Sequence, residues 1–135
     1  MQKIGILIAF AAALLFISAC GNTGEKQMTE ATYEMITGEE AQKAMEKDSG
    51  YIILDVRTKE EYDEGHIKDA ICIPVETIGG EAPEELPDKE QTIYVYCRSG
   101  NRSKTASAKL ADLGYTSIIE FGGVNTWPGE LVTEG

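Results

Sequence analysis

Short apolar runs alternate with amphipathic segments over residues 37–135. The runs are continuous and rich in Ile, Val and Tyr, as is typical of strands buried on both faces of a sheet. Strands that alternate with helices imply an α/β fold with a mainly parallel central sheet and helices on both faces. The predicted strands are residues 51–56, 70–73, 92–96 and 117–121. Residues 76–90 hold Gly, Pro and five Glu, and predict an irregular surface connection.

Two potential capping boxes mark the starts of helices. Thr37 is followed three residues later by Glu40, and Thr58 is followed in the same way by Glu61. Glycines mark the helix ends. The predicted helices are residues 38–47, a short helix from Thr58 to Gly65, and a helix that carries Ala106, Leu110 and Leu113 on one face and ends at Gly114.

Residues 1–19 differ sharply in composition from the rest of the chain. Ile4 to Ile17 form an almost unbroken apolar run of 14 residues behind one charge, Lys3. The run is shorter than the roughly 20 residues that cross a bilayer. Its length and its flanks are typical of the apolar region of a signal peptide.

The apolar run ends at Ile17-Ser18-Ala19-Cys20, which resembles the bacterial lipobox. The resemblance implies that Cys20 is alkylated by diacylglycerol and becomes the first residue of the mature chain, where two or more acyl chains give stable anchoring. The alternative is an ordinary secretory signal with an accidental Cys. We therefore expect a lipoprotein of the bacterial cell envelope, anchored on the extracytoplasmic side of the membrane. Its parts are a signal peptide (1–19), the lipidated Cys with a tether (20–36), and one domain (37–135).

Charge and cysteine content exclude several classes of protein. The chain of 135 residues carries a net charge of −11, with 12 Lys and Arg against 23 Asp and Glu. A nucleic-acid-binding protein needs a basic face, so nucleic acid is not expected as a partner. Three cysteines cannot build a scaffold of several disulfides.

The segment Cys97–Ser103, here called the Cys97 loop, is the strongest candidate for chemistry. It joins a predicted buried strand to a helix, whose N-terminus directs unpaired N–H groups and a partial positive charge at the loop. Gly100 allows the backbone to curl, so that several N–H groups can face the sulfur. No acid lies between Glu90 and Asp112, and the stretch contains the bases Arg98, Arg102, Lys104 and Lys109. This environment favours a thiolate with a pKa below the ordinary value of about 8.5.

A second candidate residue follows from the expected topology. Asp55 and Cys97 both stand at the carboxyl ends of predicted parallel strands. Ligands of such sheets bind outside these ends, so the two residues should lie near one another at one edge.

The chain resembles a single-domain rhodanese from about Thr37 to Pro128. The resemblance implies a sulfurtransferase in which Cys97 attacks the outer sulfur of thiosulfate or a related small anionic donor, and a thiol or cyanide then accepts the sulfur. No metal or organic cofactor is required. The matching pieces are Ile53–Arg57, Glu61-Tyr62 with Gly65-His66-Ile67, Ala70 with Ile73-Pro74, Val95–Ser103, and Gly122-Gly123 with Trp127.

The resemblance also implies a role for each site residue. Arg102 would bind the anionic end of the donor, and Arg98 would be a rim charge that attracts anions. Asp55 would support the site through hydrogen bonds or an ion pair, and Arg57 would pair with a neighbouring acid. The Cys97 persulfide would lie among the N–H groups of Arg98, Ser99, Gly100, Asn101, Arg102 and Ser103.

Structural roles are expected for His66 and Cys72, and one position bears on the identity of the sulfur donor. The single histidine, His66, corresponds to a family position that packs and hydrogen-bonds beside the sheet. Cys72 lies in a predicted strand and is expected to be a buried, inert thiol; the alternative is a resolving or bridging role with Cys97 in an oxidising compartment. Some thiosulfate-using members carry Arg where this chain has Glu61, so thiosulfate need not be the natural donor.

Two other functions are compatible with these residues. A Cys-dependent phosphatase or arsenate reductase would use a similar loop, but it places five residues between its Cys and Arg. Only four residues separate Cys97 from Arg102. The other function is a non-catalytic binding or persulfide-carrier module at the membrane surface.

Overall fold

Five parallel strands form the central sheet of the computed structural model, which describes residues 32–134. Two further strands pair antiparallel as a small second sheet. The strands are β1 (Glu34–Met35), β2 (Ile52–Asp55), β3 (His66–Ile67), β4 (Ile71–Cys72), β5 (Ile93–Cys97), β6 (Ile118–Gly123) and β7 (Leu131–Val132). The central sheet has the order β1-β6-β5-β2-β4, and β3 pairs with β7. The predicted α/β class with a parallel sheet is therefore confirmed.

Three α-helices connect the strands and cover the sheet. Both predicted capping boxes are present at the first two helices, where each Thr hydroxyl accepts a backbone N–H and each Glu reaches back to the N-cap N–H. The helices are α1 (Gly38–Lys47), α2 (Lys59–Glu64) and α3 (Asn101–Asp112). The predicted bounds of α1 are correct, because the cap and the amphipathic spacing are both local signals.

The core has one layer on each face of the sheet. One layer packs Leu54, Val56 and Val95 against Ala106 and Leu110 of α3. The other packs Ile53, Tyr94, Tyr96 and Phe121 against Ala41 of α1. Alternate residues of β2 and β5 enter opposite layers, which explains why these strands are continuously apolar.

The connection between β4 and β5 is anchored in the core, although the sequence predicts a surface segment. It contains a 3-10 turn at Val75–Thr77, after which Ile78 is fully buried. Leu86 is also buried, and its carbonyl accepts a hydrogen bond of 2.6 Å from the Tyr115 hydroxyl. Single apolar residues within a polar, Glu-rich stretch have no period, so the sequence pattern could not reveal their burial.

The last residues of the predicted tether lie at the edge of the sheet. β1 pairs in parallel with β6, with Glu34 opposite Ile119 and Met35 opposite Glu120. The Ile36 N–H then donates to the Glu120 carbonyl at 2.9 Å. The signal peptide, Cys20 and the first part of the tether lie outside the described residues. Within residues 32–134, no helix is long and apolar enough to span a membrane.

The helix that follows Cys97 begins earlier than the sequence predicts. Asn101 and Ser103 were expected in a loop, but α3 starts at Asn101, so both lie in its first turn. Gly100 precedes the helix in a left-handed conformation (φ 115°), which glycine adopts without strain. At the neighbouring Gly123, a Cβ would collide with the Arg98 carbonyl, so glycine is required for β6 to approach the loop.

Candidate active site

Cys97 ends β5 and lies directly before the turn into α3. Its exposed fraction is 1%, and Asp55 on the adjacent strand is in register with Tyr96. Asp55 and Cys97 both stand at the carboxyl ends of adjacent parallel strands, as expected, but their side chains lie on opposite faces of the sheet, because Asp55 pairs with Tyr96. The Cys97 side chain belongs to the core layer beneath α3.

Hydrogen-bond donors surround the Cys97 sulfur. The Gly100 N–H donates to Sγ at 3.1 Å, and the Cys97 thiol donates to the Ser103 hydroxyl oxygen at 3.5 Å; once the thiol is ionised, that hydroxyl can donate to the sulfur. Burial acts to raise the pKa of the Cys97 thiol, but hydrogen bonds from the Ser103 side chain and from the backbone N–H groups of Ser103, Gly100 and Ser99 outweigh burial, so the pKa lies below its ordinary value. The local geometry therefore favours a thiolate.

Cys72 shows what burial does without such donors. Its thiol is partly exposed and donates only a weak hydrogen bond, 3.6 Å long, to the Arg57 carbonyl. Burial, with the nearby Asp55 carboxylate, raises the pKa of Cys72 to about 11. Cys72 is less buried than the sequence predicts, but its protonated state at neutral pH makes it a poor nucleophile.

The two arginines of the Cys97 loop both contact one carboxylate. Arg102 Nη1 lies 2.8 Å from Glu61 Oε1, and its Nη2 lies 3.2 Å from Oε2. Arg98 Nη2 lies 3.1 Å from the same Oε2. The hydrogen bond from Arg102 is the main reason why the pKa of Glu61 lies far below its ordinary value. Glu61 on α2 thus occupies the position in which a donor anion was expected to meet Arg102.

A buried ion pair holds the end of β2. Arg57 Nη2 lies 2.7 Å from Asp55 Oδ2, and the two side chains are 4% and 0% exposed. The same Nη2 donates to the Gly65 carbonyl at 2.7 Å, where α2 ends. Removing one partner of a buried pair typically costs about 3–5 kcal/mol. The Asp55–Arg57 pair therefore fixes the position of α2 and, through it, of Glu61.

His66 packs beside the sheet, close to this ion pair. Its ring stacks on Tyr62 at a centroid distance of 3.7 Å, and its Nδ1 lies 2.8 Å from the Tyr62 carbonyl. Its Nε2 is buried without a hydrogen-bond partner among residues 32–134. These contacts are structural and do not extend to the Cys97 sulfur.

The remaining loop residues are divided between solvent and core. Ser99 and Asn101 are exposed, whereas Gly100 and Ser103 are buried. Sequence reasoning missed the contacts of two acids with this loop, because Glu61 and Glu120 lie far from it in sequence. The only available signals were the positions of the acids themselves: Glu61 lies within a motif, and Glu120 is a charged residue in an otherwise apolar strand. In the described part of the chain, no cluster of His, Cys, Asp or Glu could hold a metal ion.

The fold and the site define an α/β protein with a reactive cysteine at the carboxyl end of a parallel strand. Comparison with known families shows which family it belongs to. A model of the rhodanese-like domain matches residues 37–130. The chain therefore belongs to the rhodanese-like domain family.

Individual relatives agree with this assignment. The thiosulfate sulfurtransferase PspE of Escherichia coli K12 is 37% identical over 71 residues, which cover 53% of this chain and 68% of PspE. The adenylyltransferase and sulfurtransferase UBA4 of Meyerozyma guilliermondii is 33% identical over 93 residues, which cover 63% of this chain and only 22% of UBA4. A solved structure of a rhodanese with anions from E. coli is 32% identical, with a TM-score of 0.57, and covers 62% of this chain and 99% of that one.

The two thiols should differ widely in their reactivity toward iodoacetamide. Because only the thiolate reacts, Cys97 should begin to react at a lower pH than an ordinary thiol, whereas Cys72 should reach half of its high-pH rate only near pH 11. Trypsin separates the two cysteines, because it cuts at Lys68, Lys89 and Arg98. Peptide mass spectrometry after timed alkylation of the folded protein measures both rates. Equal profiles for the two thiols would contradict the role of the hydrogen-bond donors.

Proposed function

We propose that this protein is a sulfurtransferase that moves a sulfane sulfur from thiosulfate, or a related small anionic donor, to a thiol or cyanide. The Cys97 thiolate attacks the outer sulfur of thiosulfate. A Cys97 S–S bond forms, and the bond between the outer sulfur and the sulfonate breaks, so that sulfite leaves with the electron pair. Cyanide then attacks the terminal sulfur of the persulfide and leaves as thiocyanate, which restores the thiolate.

The observation that carries this proposal is the set of hydrogen-bond donors around the Cys97 sulfur. The Gly100 N–H donates to Sγ at 3.1 Å, and the Ser103 hydroxyl, which accepts the thiol hydrogen at 3.5 Å, can donate to the sulfur once the thiol is ionised. Preorganised donors of this kind stabilise an anionic sulfur both before attack and as a persulfide. The spacing of four residues between Cys97 and Arg102 keeps the loop small, which favours a single sulfur over a tetrahedral oxyanion.

Thiosulfate should add one sulfur atom to Cys97. Intact mass should rise by about 32 Da, the mass of a sulfur atom, and peptide mapping should place the increase on the peptide that contains Cys97. Cyanide should remove the added mass and release an equal amount of thiocyanate. Cys97→Ser should show neither event, while Cys72→Ser, the matched control at the other described thiol, should behave like the wild type. Hydrolysis of a phosphate ester without any persulfide would support the phosphatase alternative instead.

Glu61 bears on the choice of donor. A dianionic donor that approaches Arg98 and Arg102 must compete with the carboxylate that already contacts both guanidinium groups. Glu61 also completes the capping box of α2, since its Oε1 accepts the Thr58 N–H at 3.0 Å. Gln at this position can keep the cap and the side-chain volume, and it removes only the negative charge.

Glu61→Gln should therefore lower KM for thiosulfate about three- to ten-fold, which corresponds to the roughly 0.6–1.4 kcal/mol expected for losing a partly exposed charged competitor. Steady-state production of thiocyanate over a range of thiosulfate concentrations measures the change. Glu60→Gln is the matched control, because it makes the same change of net charge on an exposed residue of α2. A higher KM in Glu61→Gln would show instead that Glu61 orients the arginines for the donor.

A persulfide-carrier module is the second candidate function. It is favoured by the 1% exposure of Cys97 and by the pairing of both arginines with Glu61, which together limit access for free anions. In that case no small donor would persulfidate Cys97, although its thiol would still react with iodoacetamide. The mass measurement above distinguishes the two functions.

We also propose that the protein is a lipoprotein of the bacterial cell envelope, held on the extracytoplasmic side of the membrane through Cys20. The proposal rests on the apolar run and on the Ile17-Ser18-Ala19-Cys20 motif. Cells that express the full chain should incorporate labelled palmitate into it. Cys20→Ala should abolish the labelling, and Cys72→Ala should not. Equal labelling of the wild type and Cys20→Ala would contradict the proposal.

A further inference from the structure

Glu120 of β6 is a buried carboxylate that has no role in the sulfur-transfer steps proposed above. Its exposed fraction is 2%, and no Lys or Arg among residues 32–134 forms an ion pair with it. A buried charge without a cationic partner is costly, so its hydrogen bonds matter. Glu120 Oε2 accepts the Gly122 N–H at 2.9 Å, and the Ser103 hydroxyl donates to the same oxygen.

The Ser103 hydroxyl joins Glu120 to the Cys97 sulfur. Its oxygen lies within hydrogen-bond distance of Glu120 Oε2 and 3.5 Å from Cys97 Sγ. The three residues are buried, with exposed fractions of 0–2%. A hydroxyl donates one hydrogen and accepts two, so Ser103 can accept the thiol hydrogen while it donates its own to the carboxylate. The three groups therefore form a continuous chain of hydrogen bonds.

We propose that Cys97, Ser103 and Glu120 form a proton chain in which Glu120 holds the proton that the Cys97 thiol releases. The thiol proton moves to Ser103 Oγ as the Ser103 hydrogen moves to Glu120 Oε2. One S–H bond and one O–H bond break, and two O–H bonds form. A thiol and a carboxylate become a thiolate and a carboxylic acid, with no change of net charge and no other reactant.

This arrangement has an electrostatic advantage in a buried site. Ionising both Cys97 and Glu120 would place two negative charges in a region of low dielectric, where their repulsion is strong. When the two groups share one proton, only one negative charge is present, either on Cys97 or on Glu120. With the thiolate formed, the Ser103 hydroxyl is free to donate to sulfur and to accept from the protonated Glu120, so every group remains hydrogen-bonded.

Other titratable groups, from several elements, lie around the proton chain. Burial, and then the nearby Glu120 carboxylate, raises the pKa of the Tyr33 phenol, which lies before β1. The hydrogen bond to Glu61 is the main reason why the pKa of Arg102 on α3 is raised, and the charge of Cys97 acts in the same direction. Glu39 of α1 and Lys104 of α3 border a cavity of about 490 Å³.

The same cavity offers the proton a way to solvent. Glu120 lines it together with Ser99, Gly100 and Gly122, on the side of the Cys97 loop that faces β6. Water in a cavity of this size can exchange protons with the carboxyl group.

Glu120 acts on the sulfur only through Ser103, so it is a positioning residue rather than a catalytic one. The inference takes Cys97 as the reacting group, as the proposed function does. Its test measures alkylation of the thiol and not sulfur transfer, so the two proposals can fail separately.

The test is the pH profile of the rate at which iodoacetamide alkylates Cys97 in the full chain. If a proton is shared, the wild type should show two titration steps separated by a plateau, because the fraction of thiolate in the singly protonated pair does not depend on pH. Glu120→Gln should show one step, with the rate falling ten-fold for each pH unit below it. A single step in the wild type, or two steps in Glu120→Gln, would overturn the proposal.

Two serine variants complete the experiment. Ser103→Ala removes the middle of the chain and should reduce the plateau rate at least ten-fold, although Glu120 is still present. Ser107→Ala is the matched control, because Ser107 is a buried serine of the same helix whose hydroxyl has no partner among residues 32–134. It should keep the two-step profile. A plateau of wild-type height in Ser103→Ala would also overturn the proposal, and circular dichroism of each variant checks that it is folded.

Discussion

The Cys97 sulfur is buried beside backbone N–H groups that have no partner within a helix or a strand. A parallel strand ends there and a helix begins, so the first N–H groups of α3 and of the turn before it are free to donate. The Gly100 N–H donates to the sulfur at 3.1 Å, and the left-handed conformation of Gly100 turns the following chain into α3. Burial raises the pKa of Cys72 and acts in the same direction on Cys97. The two thiols differ because hydrogen-bond donors lower the pKa of Cys97, whereas the Asp55 carboxylate adds to the effect of burial on Cys72.

The charges around this sulfur depend on a contact at the neighbouring strand. Arg57 bonds both Asp55 and the Gly65 carbonyl, and so ties the end of β2 to the end of α2. α2 then presents Glu61 to the loop arginines. The folded site is therefore less positively charged than the residues of the Cys97 loop alone. Glu61 of α2 contacts Arg98 and Arg102, and Glu120 of β6 contacts Ser103. This balance bears on the identity of the donor and on the protonation of the thiol.

Much of the fold was predictable because its signals are local. The capping boxes at Thr37 and Thr58 predict where helices begin, and continuous apolar runs predict the central strands. Strands of two residues, such as β1, β3 and β7, are too short to show a period. The burial of Ile78 and Leu86 also escaped prediction, because their partners lie on other elements.

In the site, too, local features were predictable and contacts between distant residues were not. The strand, the loop and the helix around Cys97, and the glycine that lets the loop curl, were predictable because they lie within a few residues of one another. The resemblance to the rhodaneses was predictable because each of its motifs is a short local segment. Which acids face the loop was not predictable, because it depends on elements that are distant in the sequence. Glu61 is 41 positions from Arg102, and Glu120 is 17 positions from Ser103. Such contacts arise because α2 and β6 pack against the end of β5. This packing cannot be predicted from the order of charged residues along the sequence.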